Sequence, residues 1–157
     1  MARIVRYTAR VDPDVRFPQA MFVELIQIYL ADPDGWEAHG YHFELVSNAP
    51  DVEIRLVSPE NITKVCGLPS NLSCAELNGK HLYLNAKRWL YGSAKSGQSL
   101  EGYRQYVVSH EMGHILGYDH VKCPGSGPAP IMVQQTLGIG QCTPNTKITP
   151  LDLKARV

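Results

Sequence analysis

The sequence predicts an α+β fold in which several helices pack on a mixed β-sheet. The length of 157 residues corresponds to about one domain. Some segments alternate apolar and polar residues with a period of two, which is typical of strands. Other segments repeat apolar residues at the helical i, i+3, i+4, i+7 spacing. We therefore expect residues 1–157 to form a single domain with one core.

Composition and charge exclude several classes of function. Hydrophobic residues make up 44% and charged residues 19% of the chain, as in globular proteins and unlike disordered or collagen-like chains. Fifteen basic and fifteen acidic residues give a formal net charge of zero, so no electrostatic attraction favours a nucleic-acid partner. The longest apolar stretch, residues 20–31, is interrupted by Glu24 and Gln27 and is too short for a membrane span. We expect a monomer.

The four cysteines favour disulfides over a thiolate metal site. Cys66, Cys74, Cys123 and Cys142 lie in loop-like segments and form no Cys-x-x-Cys pair. We prefer the pairs Cys66–Cys74 and Cys123–Cys142 because each closes a short loop; four reduced thiols are the alternative. Arginines interrupt the N-terminal segment, which lacks the apolar stretch of a secretory signal. The chain is therefore either cytoplasmic or, as disulfides favour, a secreted or extracytoplasmic form whose export segment lies outside it.

The first third of the chain predicts three strands and a helix. Residues 3–11 mix β-branched and charged residues in rough alternation, which indicates a strand. Residues 18–30 carry the helical apolar spacing, with a proline suited to the first turn. Residues 41–47 and 52–58 alternate with a period of two and flank a turn, so we expect two further strands. A short helix is expected to begin at residues 58–60.

The remaining elements surround a long helix. Residues 66–80 are rich in Gly, Pro, Ser and Asn and predict a loop, with an irregular edge strand near 75–77. Residues 81–85 predict another strand, and Ser99 is a suitable N-cap for a helix over about 100–116. Near the C-terminus, a Thr-Pro-Leu-Asp sequence predicts a short last helix.

The strongest chemical signal is HEMGHILGYDH, residues 110–120. His110 and His114 are four residues apart and share one face of the predicted helix. Two imidazoles at this spacing can hold one zinc ion, and a catalytic zinc usually has a third protein ligand and an open position. His120 can supply the third ligand if the helix ends at Gly117, a residue that adopts a positive φ without penalty.

Glu111 is the candidate general base. It lies about 100° around the helix from His110, within reach of a metal-bound water without being a ligand itself. Two alternatives remain open, namely a buried helix that carries histidines by chance and a purely structural zinc site. The first would bury polar groups without partners, and the second needs a fourth protein ligand that is not evident.

Residues 110–120 resemble the long zinc signature of the metzincin clan of metallopeptidases. Met132, in the segment PAPIM, stands where that clan has its Met-turn, and the predicted order of elements also resembles the clan. Over residues 7–145 the chain is further similar to an uncharacterised actinobacterial family of small zincin-like proteins, a domain of unknown function. This similarity is carried by the segments LADPDGW, LYLNAKRW, YRQYVVSHEMGHILGYDHVKCPG and PAPIMVQQTLGIGQCTPN.

The resemblance implies a small metzincin-like zincin domain. Its sheet would be mixed, mostly parallel and twisted, with an antiparallel edge strand, a zinc-binding helix, a Met-turn and a short C-terminal helix. One position departs from the clan, because Gln134 stands where several metzincins have a tyrosine, so a tyrosine that stabilises the oxyanion is not expected. The resemblance implies the zinc ligands His110, His114 and His120, the base Glu111, the bend at Gly117, and Met132 as the floor beneath the metal.

These observations together predict a zinc-dependent endopeptidase with one catalytic Zn²⁺ ion. By analogy with the clan, we expect a polypeptide substrate to lie extended along the edge strand near residues 75–77. Two alternatives remain: a zinc hydrolase that acts on a cell-wall peptide or another amide, and a catalytically silent binding module with a zinc fold.

Several other side chains carry weaker signals. His39 and His42 suggest a second metal site, although a solvated role is the preferred reading. Asp119 is a candidate to orient a metal ligand, and an exposed loop acid is the equal alternative. The two tryptophans can line a substrate cleft, but core packing is favoured for each, and His81 is expected to be structural.

Overall fold

The computed structural model describes residues 1–67 and 69–157. Leu68, which belongs to the predicted loop 66–80, lies outside the described residues. The order in the sheet is β2-β1-β3-β5-β4, in which β4 pairs antiparallel with β5 and the other pairs are parallel. This confirms the expected mixed, mostly parallel sheet with an antiparallel edge strand. The strands are β1 (Arg3–Val11), β2 (Tyr41–Leu45), β3 (Val52–Val57), β4 (Cys74–Ala75) and β5 (His81–Asn85).

Helices lie between β1 and β2, between β3 and β4, and after β5. The described helices are α1 (Gln19–Leu30), α2 (Pro59–Cys66), α3 (Ala86–Tyr91), α4 (Leu100–Ile115) and α5 (Pro150–Leu153), with 3₁₀ turns at Trp36–His39, Ala94–Ser96 and Gln135–Leu137. The expected caps are present, since Ser99 caps α4 and Thr149 caps α5. The sequence did not predict α3, because six residues are too few for a helical pattern. Its cap is Asn85, whose side chain accepts a hydrogen bond from the Lys87 N–H at 3.0 Å.

The edge strand lies slightly earlier than the sequence predicted. It was expected near residues 75–77, but β4 consists of Cys74 and Ala75 only. The reason is the tight turn that follows. The Glu76 carboxylate accepts hydrogen bonds from the N–H groups of Lys80 and His81 at 3.1 and 3.0 Å, which closes the turn into β5.

One face of the sheet forms the core. Because side chains alternate across a strand, every second residue of β1, β3 and β5 points to the same face. Helix α1 packs on β1, and α4 packs on β5 and α1. Both tryptophans are buried in this core, and Trp36 Nε1 donates to the Ser109 carbonyl at 2.8 Å. The buried residues that alternate along β1, β3 and β5 are Val5, Tyr7, Ala9, Val52, Ile54, Leu56, Leu82 and Leu84.

Two disulfides secure the parts of the chain with little regular structure. Cys66 at the end of α2 is joined to Cys74 in β4, and Cys123 is joined to Cys142. These are the two local pairs that the sequence favoured. The first attaches the edge strand to a helix, and the second closes a segment rich in Gly and Pro. Among the residues that the structure describes, no helix combines the length and apolar character needed to cross a membrane.

Candidate metal centre

Three histidines converge where α4 ends. His110 and His114 lie on one face of the helix, and His120 follows three residues after a bend. One ring nitrogen from each of the three lies within 4.8 Å of the others, and the Nε2 atoms of His114 and His120 are 3.0 Å apart. Two nitrogens bound to one tetrahedral zinc, at about 2.0–2.1 Å each, are about 3.3 Å apart. The three side chains are therefore positioned to bind a single metal ion.

Backbone carbonyls fix two of these imidazoles. His110 Nδ1 donates to the Ile131 carbonyl at 2.7 Å, and His114 Nδ1 donates to the Tyr118 carbonyl at 2.8 Å. Since a carbonyl oxygen only accepts, the ring proton must be on Nδ1 in the neutral imidazole. This leaves Nε2 of each ring unprotonated and free to bind a metal.

Burial keeps the three rings neutral. It lowers the pKa of His110 to about 3, with a further contribution from the neighbouring His114. It also lowers the pKa of His114, with help from His120, and the pKa of His120 itself. A metal ligand must be deprotonated at its binding atom, so these lowered pKa values favour metal binding at neutral pH.

Gly117 provides the bend that brings His120 back to the helix. Its φ is 100°, its N–H donates to the His114 carbonyl at 3.0 Å, and the Tyr118 N–H donates to the Gly113 carbonyl at 2.9 Å. This pair of hydrogen bonds is the Schellman arrangement, which requires a left-handed residue after the helix. A side chain at this position would also collide with Asn78, whose Oδ1 lies 2.5 Å from the site of a Cβ atom.

The turn between β4 and β5 contacts the metal-binding helix directly. The Asn78 N–H donates to the carbonyl of His114 at 2.9 Å, and Asn78 itself has a positive φ of 55°. The edge strand is thereby held at a fixed position beside the histidines. The sequence analysis gave Asn78 no role, although the Asn-Gly pair ahead of a strand is a recognised turn signal.

Met132 is fully buried and lies against α4 at Gly113. It lies in a turn, residues 130–133, that we call the Met132 turn, closed by the Val133 N–H donating to the Pro130 carbonyl at 3.1 Å. A Cβ atom at Gly113 would be 2.5 Å from the Met132 sulfur, so only glycine permits this close contact with α4. Sequence reasoning missed Gly113. Its signal was a glycine inside a helix, which costs about 1 kcal/mol relative to alanine.

The three histidines and Glu111 line one cleft of about 130 Å³. Burial raises the pKa of Glu111 to about 8 in the metal-free protein. A cation held by the histidines would favour the ionised carboxylate and lower that pKa. Gln134, which the sequence comparison placed where several metzincins have a tyrosine, is one of the residues that line this cleft. The other lining residues are Leu72, Ser73, Cys74, Ala75, Tyr106 and Thr136.

Asp119 contacts the backbone of His120. Its Oδ1 atom accepts the N–H of His120 at 2.7 Å, and its charge raises the pKa of the His120 ring against the effect of burial. Asp119 is exposed. It therefore holds His120 through the main chain.

The remaining histidines do not form a second metal site. His42 pairs with Glu37 at 3.2 Å on the surface, and His39 is exposed. His81 lies between two glutamates, at 3.3 Å from Glu53 and 3.0 Å from Glu76. Within residues 1–67 and 69–157, the histidine triad is the one group of three or more side chains arranged to bind a metal.

The chain matches one protein-family model and is similar in fold to solved structures. A family model described as "Protein of unknown function (DUF3152)" matches residues 3–154. The fold is similar to a crystal structure of archaemetzincin from Methanopyrus kandleri, with 14% identity, a TM-score of 0.59, and 96% of this chain and 92% of that chain covered. It is also similar to archaemetzincin from Archaeoglobus fulgidus complexed with malonate, with 13% identity, a TM-score of 0.51, and 98% and 99% covered. These similarities confirm the metzincin-like fold. No curated protein matches the sequence.

Proposed function

The chain belongs to the DUF3152 family, whose members are described as proteins of unknown function. We propose that it is a zinc-dependent endopeptidase. The observation that carries the proposal is the convergence of three neutral imidazoles and a buried glutamate in one cleft beside the edge of a sheet. The archaemetzincin fold supports it. That residues 1–157 form one catalytic domain, and that the protein is a monomer, remain predictions.

The donor set suits a catalytic zinc. Three imidazoles are a ligand set that zinc accepts in hydrolases, and we assign His110, His114 and His120 to this role. When bound, zinc supplies the Lewis acidity that activates water and polarises a carbonyl group. Nε2 is free on His110 and His114 because their Nδ1 protons are held by carbonyls. Met132 supports the centre from below, which is the role of a Met-turn.

Glu111 performs the proton transfers in this proposal. Its carboxylate accepts a proton from the attacking water at the scissile carbonyl and returns it to the leaving amine. Its burial in the cleft wall excludes bulk water from the carboxylate. The ionised form is needed, and the positive charge of the metal site favours it over the neutral form present in the metal-free protein.

The substrate is a polypeptide in extended conformation. Strand β4 is the last strand of the sheet, so its outer edge is available for a peptide to add as a further strand. The Asn78 contact and the Cys66–Cys74 disulfide hold that edge beside the metal ligands. A cleft of about 130 Å³ is far smaller than an ordinary ligand pocket of about 300 Å³ or more. The side chain that enters it must therefore be small.

The site of action is outside the cytoplasm. Disulfides persist in oxidising compartments and are rare in the cytosol. Both cysteine pairs of this chain are joined. Proteins or peptides of the cell surface and its surroundings are accordingly the substrates to test.

The test is digestion of a proteome-derived peptide library by the zinc-loaded protein, read by mass spectrometry. The matched control is Glu111→Gln, which keeps the shape of the side chain and the three histidines. We expect cuts beside small residues in the wild type and a loss of at least about 10²-fold in the variant, because general-base catalysis is worth that much. If the wild type holds one zinc and cuts no peptide, the proposal fails, and peptidoglycan digestion then separates a cell-wall hydrolase from a binding module.

A further inference from the structure

Asp152 is a buried carboxylate outside the cleft, and its contacts lead to a metal ligand. Its side chain is fully buried in α5. Oδ2 accepts hydrogen bonds from the Thr149 N–H at 2.8 Å, the Thr149 hydroxyl at 3.0 Å and the Ile131 N–H at 3.0 Å. Oδ1 accepts one hydrogen bond, from the Met132 N–H at 2.7 Å. All four partners are donors, so the site is built for an ionised carboxylate.

The bond from Met132 reaches His110 through a single peptide group. The peptide between Ile131 and Met132 donates its N–H to Asp152 at 2.7 Å. The carbonyl of the same peptide accepts the Nδ1 proton of His110 at 2.7 Å. The chain of hydrogen bonds thus runs from the Asp152 carboxylate through one amide to the His110 imidazole. A carboxylate that accepts the N–H of an amide makes its carbonyl a stronger acceptor, since hydrogen bonds in series polarise one another.

We propose that Asp152 is a positioning residue of the metal centre, which orients His110 and strengthens its Nε2 as a ligand through the Ile131–Met132 peptide. The inference rests on the proposed metal-binding function and deepens it. Metal-binding histidines commonly donate their second ring proton to a carboxylate or to a carbonyl. Here the two arrangements are combined, with the carbonyl in contact with the ring and the carboxylate one peptide further away.

Capping of α5 does not account for these contacts. The cap requires only the bonds between Asp152 and Thr149, which lie within the helix start. The bonds to Ile131 and Met132 join residues that are 21 and 20 positions apart in the sequence. They bind the Met132 turn to the C-terminal helix, and the same turn accepts the Nδ1 proton of His110 through the Ile131 carbonyl.

The two carboxylate oxygens allow a selective variant, Asp152→Asn. An asparagine retains the three hydrogen bonds at the Oδ2 position if its carbonyl oxygen lies there. Its NH₂ group then faces the Met132 N–H, so the bond that leads to His110 is lost while the helix cap survives. The matched control is Thr149→Ala, which weakens the same cap and leaves the bond from Met132 to Asp152 in place.

The experiment measures the zinc dissociation constant by competition with a chelator, together with the melting temperature of each metal-free protein. We expect Asp152→Asn to bind zinc about 10–100-fold more weakly than wild type, as for other partners of metal-binding histidines. Asp152→Glu, which restores a carboxylate, should recover part of this loss. Thr149→Ala should lower the melting temperature and leave the affinity unchanged. Equal affinity of Asp152→Asn and wild type, or an equal loss in Thr149→Ala, would overturn the inference.

A measurement on the wild type covers the case in which Asp152→Asn does not fold. The Met132 amide proton should resonate far downfield, and ring ¹⁵N shifts should place the His110 proton on Nδ1. An ordinary amide shift for Met132, or a proton on Nε2 of His110, would overturn the inference. If the wild type binds no zinc at all, the proposed function itself fails, which is a different outcome from a wild type that binds zinc as tightly as its variants.

Discussion

The sheet and residues 117–149, which follow α4, are held in place by different kinds of contact. Strands β1, β3 and β5 are fixed by parallel backbone pairing and by an apolar face against α1 and α4. The regular structure of residues 117–149 is limited to one short 3₁₀ turn and isolated β-bridges at Tyr118 and between Pro128 and Thr143. Isolated backbone hydrogen bonds and side chains bonded to the backbone order this segment. One such side chain is Tyr106, whose hydroxyl donates to the Val133 carbonyl at 3.1 Å and accepts the Gln135 N–H at 2.9 Å. The Cys123–Cys142 disulfide adds a covalent constraint.

The histidine triad lies where these two regions meet, because α4 packs on β5 of the sheet and leads into the irregular segment. His110 and His114 come from a regular helix, whereas His120 and Met132 come from the irregular segment. The Val121 N–H donates to the Met132 carbonyl at 3.1 Å, so the residue that follows His120 is bonded to the Met132 turn. We infer that changes in the sheet reduce the stability of the whole fold. Changes in the irregular segment reduce metal binding and activity first.

The largest expected effect is that of His120→Ala. The His120 ring lies against His110 and His114, but the residue as a whole is exposed and outside the core, so the melting temperature of the metal-free protein should change little. With two histidines left, zinc should no longer be retained, and peptide cleavage should fall by about 10³-fold or more, because metal catalysis contributes several kcal/mol. Metal analysis and cleavage rates provide the readout. Full zinc occupancy in this variant would mean that the irregular segment does not supply a ligand.

The next largest effect is expected for Leu56→Ala in the centre of the sheet, which should reduce stability and leave metal binding unchanged. Leu56 is fully buried, and its truncation should lower the free energy of unfolding by about 2–5 kcal/mol, through lost burial and the cavity that remains. Urea denaturation measures this loss. The zinc affinity of the folded fraction should equal that of wild type. A zinc affinity that falls in step with stability would remove the distinction between the two regions.

The smallest effect per measured step is a pH dependence of the metal-free protein. Burial raises the pKa of Glu111 from 4.5 to about 8, so the folded state binds a proton that the unfolded state has released. The stability contributed by the protonated group is complete below pH 4.5 and is lost as the pH rises through about 8. Between these limits, wild type should lose stability relative to Glu111→Gln by at most about 1.4 kcal/mol per pH unit. Denaturation of both proteins across this range is the measurement. A difference that does not change with pH would contradict a buried carboxyl at this position.

The sequence could predict those features that repeat over short distances. The apolar spacing of α1, the alternation of β3 and the His-x-x-x-His pair on α4 are all local patterns, and the structure has each element in place. The bend also followed from local chemistry, since Gly117 was the one residue suited to a positive φ between two ligands. Such patterns can be predicted because they depend only on residues that are close together in the sequence.

Features that depend on distant contacts could not be predicted. In the sequence, Asp152 is recognisable only as an acidic residue in the first turn of a helix. Nothing near it in sequence indicates hydrogen bonds to Ile131 and Met132. Asn78 likewise gave only a turn signal, because its partner His114 is remote in sequence. The short helix α3 and the exact position of β4 were missed since few residues carry each of them.

X-ray absorption at the zinc edge of the metal-loaded protein tests the central claim most directly. We expect one zinc per chain, bound by three imidazole nitrogens at about 2.0–2.1 Å and by one further light atom from solvent. Loading of His120→Ala serves as the control and should remove this spectrum. A zinc with sulfur neighbours, or with a fourth ligand from the protein, would contradict an open catalytic site and indicate a structural metal.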